Sequence, residues 1–258
     1  ARIGFPENCI ATLENTLQYT PAIFEIDPRL TKDSVVVLMH DGTLDRTTTG
    51  KGRLTDHTWE ELQNLHLKDK YGNITMYRIP LLEEVIKWSK GKTILVLDDK
   101  NVPYERIINM LRIHDAFSNV LMTVRNAEKA KKLYELDNRI MFEAYVFNRK
   151  HIAEFEAAGI PWSNIMIAYV GPADLPENIS LYDELNKRGV KAMVSGSSVL
   201  DKLYLAGNTG IYSEVFNHGS DIIESDLPVE VALELMNYIN KDSRVNKYLG
   251  RKEIPWDE

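Results

Sequence analysis

From Thr93 onward, short apolar strands alternate with helices that have one apolar face, and this alternation limits the possible fold more than any other feature. The predicted strands begin at positions 93, 120, 140, 165, 190 and 221, and no repeat of side chains accompanies their roughly even spacing. A strand that is followed by a helix reaches its next neighbour in the same direction, so the strands are parallel. The sequence therefore predicts an α/β protein with a parallel sheet.

A further parallel strand is predicted upstream, over Ile23–Asp27. A closed (β/α)8 TIM barrel has eight parallel strands, and the first predicted helix follows Asn8 with no strand before it. We therefore expect a (β/α)8 barrel whose first strand precedes Ala1, and an open sheet is the alternative. The length of 258 residues fits one barrel domain, residues 1–258.

A hairpin follows this strand. The chain turns within Thr31–Ser34 and returns along Val35–Met39 to His40. A connection this short can only join antiparallel strands. The strand predicted over Ile23–Asp27 carries Glu25 and Asp27 on one face, because residues two apart in a strand point the same way. The hairpin therefore brings His40 back towards both carboxylates.

A short insertion over the barrel top, residues 42–80, follows the hairpin. Thr58 and Glu61 have the spacing of a capping box, which predicts that a short helix begins there. We expect a loop over Asp69–Tyr77. Pro80 is well placed for the start of the next helix.

Carboxylates also follow the next parallel strand, where Asp98 and Lys100 are again two residues apart. The active sites of barrels lie at these strand ends. Adjacent carboxylates repel each other unless a proton or a cation lies between them, and ligands that are all oxygens suit Mg²⁺ or Ca²⁺. We therefore predict a divalent-cation site formed by Glu25, Asp27 and Asp98. The alternatives are solvated surface acids and, for Asp98, a helix N-cap.

Charge and composition exclude several classes of protein. The net charge is −7 with acids and bases interspersed, which argues against a nucleic-acid partner because such a partner requires a basic surface. The single cysteine, Cys9, excludes an internal disulfide and a thiolate zinc site. No apolar run has the length of a membrane span, and no signal peptide is visible, while a cleaved one remains an alternative. We favour a periplasmic or other extracytoplasmic location over the cytoplasm.

Several segments resemble the glycerophosphodiester phosphodiesterases of the bacterial type, in order and over nearly the whole chain. These segments are Pro6-Glu7-Asn8, Glu25-Ile26-Asp27, Leu30-Thr31-Lys32-Asp33, Val36–Asp41, Thr43–Thr48, Ile79–Val85, Leu97–Lys100 and Gly219–Pro228. The segments that are specific to this family lie in the N-terminal part, and the resemblance in the middle of the chain is not specific to it. The resemblance implies a TIM barrel, a divalent cation and a role in lipid metabolism.

The resemblance also implies roles for single residues. His40 would transfer protons as one of two catalytic histidines. Lys100 would contact a phosphoryl oxygen, as a catalytic and substrate-binding residue, and Arg2 would bind the same phosphate. The ligands of Ca²⁺ or Mg²⁺ would be Glu25, Asp27 and Asp98. The family usually has Glu at the position of Asp98, so a water molecule could replace one direct ligand bond here.

The other catalytic histidine of the family lies in a His-Arg-Gly segment at the end of the first strand. This chain instead starts with Ala1-Arg2-Ile3-Gly4. Either the histidine precedes the given sequence, or Ala1 replaces it and leaves a weakened enzyme or a non-catalytic phosphodiester-binding barrel. The strand count favours the first interpretation.

The implied reaction is metal-assisted hydrolysis of a small-molecule glycerophosphodiester to glycerol 3-phosphate and an alcohol, such as choline or ethanolamine. The sequence does not identify the alcohol. We expect a monomer or a weak homo-oligomer. A related lipid phosphodiesterase or lyase is the remaining alternative, and an apolar rim would favour it. Ile160-Pro161-Trp162 is the only candidate rim, and it precedes a strand, at the opposite end from the site.

Other polar residues have weaker functional interpretations. We expect Arg46 to hold its loop by pairing with a nearby acid. Glu143, Ser195 and Asp226 lie near later strand ends and are candidates for the pocket wall. The remaining histidines are interpreted as surface or structural residues: His57, His66, His114, His151 and His218.

Overall fold

The structure, a computed structural model, describes residues 4–172 and 176–241. The strands in these residues are β1 (Phe24–Ile26), β2 (Pro28–Leu30), β3 (Val36–Leu38), β4 (His66–Lys68), β5 (Ile74–Arg78), β6 (Leu95–Leu97), β7 (Val120–Val124), β8 (Met141–Tyr145), β9 (Ile165–Gly171), β10 (Lys191–Ser195) and β11 (Ile222–Glu224). The α-helices are α1 (Ile10–Leu17), α2 (Trp59–Leu62), α3 (Leu82–Ser89), α4 (Tyr104–His114), α5 (Ala127–Leu136), α6 (Arg149–Ala157), α7 (Pro176–Asn186), α8 (Leu200–Leu205), α9 (Ile211–Asn217) and α10 (Pro228–Lys241). Short 3₁₀ helices cover Leu54–Asp56 and Trp162–Asn164. Arg2, the predicted phosphate ligand, lies outside the described residues.

Seven strands form one parallel sheet, in the order β1-β6-β7-β8-β9-β10-β11. The predicted parallel sheet is therefore confirmed, and helices connect its successive strands from β6 onward. This alternation is that of a TIM-like α/β fold. Among the described residues, β1 and β11 are the two ends of the sheet. The eighth strand, which we expect ahead of Ala1, stays a prediction.

The hairpin after β1 consists of β2 and β3, which pair antiparallel with Leu30 opposite Val36. Strand β1 ends one residue before Asp27, so the run predicted as one strand is divided there. The N–H of Met39 donates to the carbonyl oxygen of Asp27 at 2.8 Å. This bond holds the residue before His40 against the backbone of a predicted metal ligand.

Two predictions for the insertion are corrected by the structure. Asp69–Tyr77 is not a loop throughout, because β4 and β5 form an antiparallel hairpin with a tight turn between them. Helix α3 begins at Leu82 and not at Pro80. Leu81 is its N-cap, and Glu84 accepts a hydrogen bond from the N–H of Leu81 at 3.0 Å, which satisfies one of the free donors at the helix start.

The capping box at Thr58 is confirmed, since Glu61 accepts a hydrogen bond from the N–H of Thr58 at 2.8 Å. A separate apolar cluster, the insertion core, joins the insertion to the return arm of the hairpin and to the residue before α1. Its buried members are Cys9, Val37, Met39, Leu44, Leu54, Leu62, Leu67 and Ile79. The described helices include none that is both long and apolar enough to cross a membrane.

Candidate active site

Three carboxylates meet at the C-terminal ends of two neighbouring strands. Glu25 lies in β1, Asp27 follows β1, and Asp98 follows β6. Glu25 is in register with Val96, and the N–H of Asp98 donates to the carbonyl oxygen of Ile26 at 3.0 Å. One oxygen of each carboxylate lies within 4.8 Å of the others. The parallel pairing of β1 with β6 therefore brings together the predicted metal ligands.

Lys100 contributes a positive charge to this cluster. Its Nζ lies 2.6 Å from Asp98 Oδ2 and 3.1 Å from Asp27 Oδ1. Burial opposes ionisation of Asp98, but the hydrogen bond and charge of Lys100 prevail and hold the pKa of Asp98 below its usual range. Burial likewise opposes the charge on Lys100, whose pKa is nevertheless raised by its hydrogen bonds to Asp98 and Asp27.

Glu25 has a different environment, because its exposed side chain lines a cleft that two other acids, Glu143 and Glu224, also line. Partial loss of hydration, followed by the charges of Glu224 and Glu143, raises the pKa of Glu25 to about 8. Glu143 is buried in β8 and accepts a hydrogen bond from Thr123 Oγ1 at 2.8 Å. Burial is the main cause that raises the pKa of Glu143 to about 7. The site therefore attracts positive charge.

The donor set fits a hard divalent cation. Carboxylate oxygens are the ligands that Ca²⁺ and Mg²⁺ prefer, and a bound cation would displace the proton that Glu25, with its raised pKa, retains at neutral pH. Oδ1 of Asp27 is buried, and it pairs with the ammonium group of Lys100 at 3.1 Å. A carboxylate oxygen accepts more than one partner, so a bound cation would share this oxygen with Lys100. Both oxygens of Asp98 also have partners. Oδ2 pairs with Lys100 at 2.6 Å, and Oδ1 accepts a hydrogen bond from the N–H of Asp99 at 2.7 Å.

Asn8 orients Asp27, a role that was not predicted from the sequence. Its Nδ2 donates to Asp27 Oδ2 at 2.6 Å, and its Oδ1 accepts from the N–H of Asp27 at 2.9 Å. Asn8 has a φ of 51°, in the left-handed region that asparagine tolerates better than most residues. The segment Pro6-Glu7-Asn8 was the available signal.

His40 stands at the mouth of the same cleft. Its Nδ1 lies 2.9 Å from Asp41 Oδ1, and its side chain is 57% exposed. Arg46 contacts Asp41 at 2.7 Å and also binds both oxygens of Glu7 at 2.7 Å. The prediction that Arg46 pairs with an acid is confirmed. These contacts join the loop after β3, which carries His40, to the segment before α1.

His40 and two of the predicted metal ligands, Glu25 and Asp27, line a cleft of about 1050 Å³. Its lining also includes Glu143 and Glu224. Among the minor candidates, Asp226 also lines the cleft. Ser195 does not belong to this lining, although its Oγ lies 3.2 Å from that of Ser197, which does.

Arg125 is a second residue that the sequence analysis missed. It follows β7, lies 3.4 Å from Asp98 Oδ1, and places its guanidinium 5.2 Å from the ring centre of Tyr145. Its position directly after a predicted strand was the only signal. His66 has a structural contact, since its Nδ1 lies 2.7 Å from the carbonyl oxygen of Thr75. His114 lies 3.2 Å from Glu83.

Proteins of known structure share this fold. A crystal structure of a glycerophosphoryl diester phosphodiesterase from Parabacteroides distasonis superposes with a TM-score of 0.87 and 49% identity, over 96% of this chain and 87% of that chain. A glycerophosphodiester phosphodiesterase from Agrobacterium tumefaciens has the same fold, with a TM-score of 0.71 and 20% identity over 88% of this chain and 94% of that one.

Sequence comparison agrees with the structural likeness. A putative glycerophosphodiester phosphodiesterase of Bacillus subtilis is 35% identical over 138 residues, which are 50% of this chain and 57% of that protein. The match thus spans little more than half the length of this relative. The model of the glycerophosphoryl diester phosphodiesterase family matches residues 3–195, most of the sequence. The chain therefore belongs to the glycerophosphoryl diester phosphodiesterase family, a family of phosphoric diester hydrolases.

Proposed function

We propose that this protein hydrolyses small-molecule glycerophosphodiesters to glycerol 3-phosphate and an alcohol, with a divalent cation and histidine acid–base catalysis. The main support is the meeting of Glu25, Asp27 and Asp98 within 4.8 Å of one another, since Glu25 and Asp27 line the cleft that His40 also lines. Family membership supports the same reaction class. The extracytoplasmic location and the monomeric or weakly associated state stay predictions.

Glu25, Asp27 and Asp98 would hold Ca²⁺ or Mg²⁺, which when bound polarises a phosphoryl oxygen and increases the acidity of a hydroxyl group. Asn8 keeps Asp27 in its orientation through two hydrogen bonds. Lys100 neutralises part of the carboxylate charge and presents an ammonium group to a phosphoryl oxygen. Arg125 offers a second cation beside Asp98.

His40 is suited to move a proton. When Nδ1–H of His40 donates a hydrogen bond to the carboxylate of Asp41, Nε2 of the neutral ring carries no proton and is the free acceptor. Nε2 would take a proton from the attacking hydroxyl or, once protonated, give one to the departing alcohol. The attacking group is either water, which gives glycerol 3-phosphate and the alcohol directly, or the neighbouring hydroxyl of the glycerol. In the second case the alcohol leaves and a cyclic glycerol phosphate forms, which water then opens to glycerol 3-phosphate. The second histidine of the family would share these two roles.

Cation binding tests the ligand assignment directly. Calorimetry with Ca²⁺ and with Mg²⁺ should show binding to the wild type and none to Asp27→Asn, which keeps the side-chain size but loses the charge. Asp99→Asn is the matched control, because Asp99 follows Asp98 but pairs with Lys129 at 2.5 Å. Equal binding by wild type and Asp27→Asn would refute the site.

Hydrolysis tests the role of His40. Release of glycerol 3-phosphate from glycerophosphocholine and glycerophosphoethanolamine should fall by about 10²–10⁴ in His40→Ala, because general acid–base groups contribute that much. Cation affinity should stay nearly unchanged. A loss of turnover below about tenfold would reject the assignment. A wild type that binds the cation and the diester without any turnover would instead support the non-catalytic binding barrel.

A further inference from the structure

The hairpin of β4 and β5 exposes large apolar side chains in a pattern that the hydrolysis of small diesters does not require. Tyr71 is 61% exposed, Ile74 65% and Met76 79%. Such a cluster on a protein surface indicates an interaction site. Trp162 belongs to the only rim segment that the sequence offered, which was expected at the opposite end from the site, and it packs near Phe155 and Arg188. The exposed apolar side chains of the insertion were not predicted.

Alternation along β5 places these side chains on one outer face. Ile74, Met76 and Arg78 are exposed, whereas Thr75 and Tyr77 between them are half-buried. Tyr77 stacks on Phe5 with ring centres 6.3 Å apart. The inner side thus completes the packing of the hairpin, and nothing in the insertion core requires the outer apolar side chains.

The same outer face is basic. The hairpin face, as we define it, consists of Lys68, Lys70, Tyr71, Ile74, Met76 and Arg78. It contrasts with the net charge of −7 for the whole chain. Asp69 is the only acidic residue in 66–78, and it is buried in the turn. Its carboxylate accepts hydrogen bonds from the N–H groups of Gly4, Tyr71 and Asn73. The negative charge of Asp69 is therefore inside the turn and not on the outer face.

The hairpin face is connected to the mouth of the cleft. Leu67 forms an antiparallel bridge with Thr48, and the N–H of Lys68 donates to the carbonyl oxygen of Thr47 at 2.7 Å. Thr47 directly follows Arg46, which binds Asp41 beside His40. A surface that contacts the hairpin face would therefore lie next to the catalytic cleft.

We propose that the hairpin face docks the protein on an anionic lipid bilayer. A face of apolar side chains flanked by lysines and an arginine suits an anionic bilayer. The apolar side chains enter the membrane interface, and the cationic groups contact lipid phosphates. Lys70 supports this arrangement, since its Nζ lies 5.2 Å from the ring centre of Tyr71. A second copy fits less well, because a symmetric contact would place the same basic groups opposite each other. The proposal does not depend on the proposed hydrolysis.

Co-sedimentation with vesicles tests the proposal. The wild type should bind vesicles of phosphatidylglycerol mixed with phosphatidylcholine, and it should bind vesicles of phosphatidylcholine alone much more weakly. Lys70→Gln should weaken binding by about fivefold, as expected for one basic side chain near an anionic surface. The double variant Ile74→Ser/Met76→Ser should weaken it by at least about tenfold, because two apolar side chains no longer enter the interface.

Two variants serve as matched controls. Ile113→Ser changes an apolar side chain that is 77% exposed on α4, and Lys150→Gln changes a lysine that is 82% exposed on α6. Both should bind vesicles like the wild type. All hairpin variants should keep the wild-type turnover of soluble glycerophosphocholine, which shows that they are folded and separates this proposal from the proposed function.

Several outcomes would overturn the docking proposal. The first is a wild type that does not sediment with anionic vesicles. The second is a loss of binding in the controls as large as in the hairpin variants. The third is concentration-dependent self-association, without vesicle binding, that disappears in Ile74→Ser/Met76→Ser, since this would assign the face to a second copy.

Discussion

At the scale of single residues, the candidate site depends on how Asp27 is held. The two oxygens of Asp27 have different partners: Asn8 donates to Oδ2, while the buried Oδ1 pairs with Lys100 at 3.1 Å. The amide of Asn8 thus fixes the carboxylate plane and directs Oδ1 towards Lys100 and the cluster. Groups that orient metal ligands contribute to affinity although they do not touch the metal.

We predict that Asn8→Gly weakens cation binding by about 10–100-fold, the usual effect of losing an orienting partner. Glycine removes both hydrogen bonds but tolerates the positive φ, so the change adds no backbone strain. Calorimetry with Ca²⁺ would measure the affinity, and Asn15→Ala, which lies along the same cleft, is the control. Unchanged affinity in Asn8→Gly would contradict an orienting role.

At the scale of elements, β8 carries an acid into the interior of the sheet. Glu143 is only 3% exposed, and burial raises its pKa to about 7 from the model-compound value of 4.5. The folded protein therefore holds this proton at pH values where the unfolded chain has released it. Consequently, the contribution of Glu143 to the free energy of unfolding falls as pH rises from about 4.5 to about 7.

We predict that Glu143→Gln makes the fall in the free energy of unfolding between low and high pH smaller by about 3 kcal/mol, which is the free energy equivalent of the pKa shift of Glu143. Urea unfolding at pH 5 and pH 8, with EDTA present, would measure it. Glutamine keeps an oxygen that accepts the hydrogen bond of Thr123, so the geometry is conserved. Glu154→Gln, on the exposed surface of α6, should leave the pH dependence unchanged. The same pH dependence in Glu143→Gln and wild type would disprove the effect.

At the scale of the whole molecule, the metal ligands exist as a site only when β1 and β6 are paired. A cation that binds this site therefore binds the folded protein and not the unfolded chain. We predict that Ca²⁺ at about 100 times its dissociation constant raises the free energy of unfolding by about 2.7 kcal/mol. Denaturant unfolding with Ca²⁺ and with EDTA would measure the gain, which Asp98→Asn should lose. A gain of equal size in Asp98→Asn would contradict the linkage.

The parts of the fold that were predictable follow from local patterns. Apolar runs indicated the parallel strands, and the two-residue spacing of Glu25 and Asp27 indicated a shared face. The orientation of β5 was not predictable in this way. Ile74, Met76 and Tyr77 are all apolar, and the contact that turns Tyr77 inward involves Phe5, which is distant in the sequence. The role of Asn8 likewise depends on a distant partner, Asp27.

The pairing of β1 with β6 also has a consequence for the order of folding. Glu25 and Val96 are in register although about 70 positions separate them, whereas Leu121 and Met141 in neighbouring strands are much closer in sequence. Closing a longer loop costs more chain entropy, and contacts between distant residues form slowly. We therefore expect the later strands to associate first and Glu25 to meet Asp98 in a late step. Acquisition of cation binding would then report on the completion of folding, and not on its first stages.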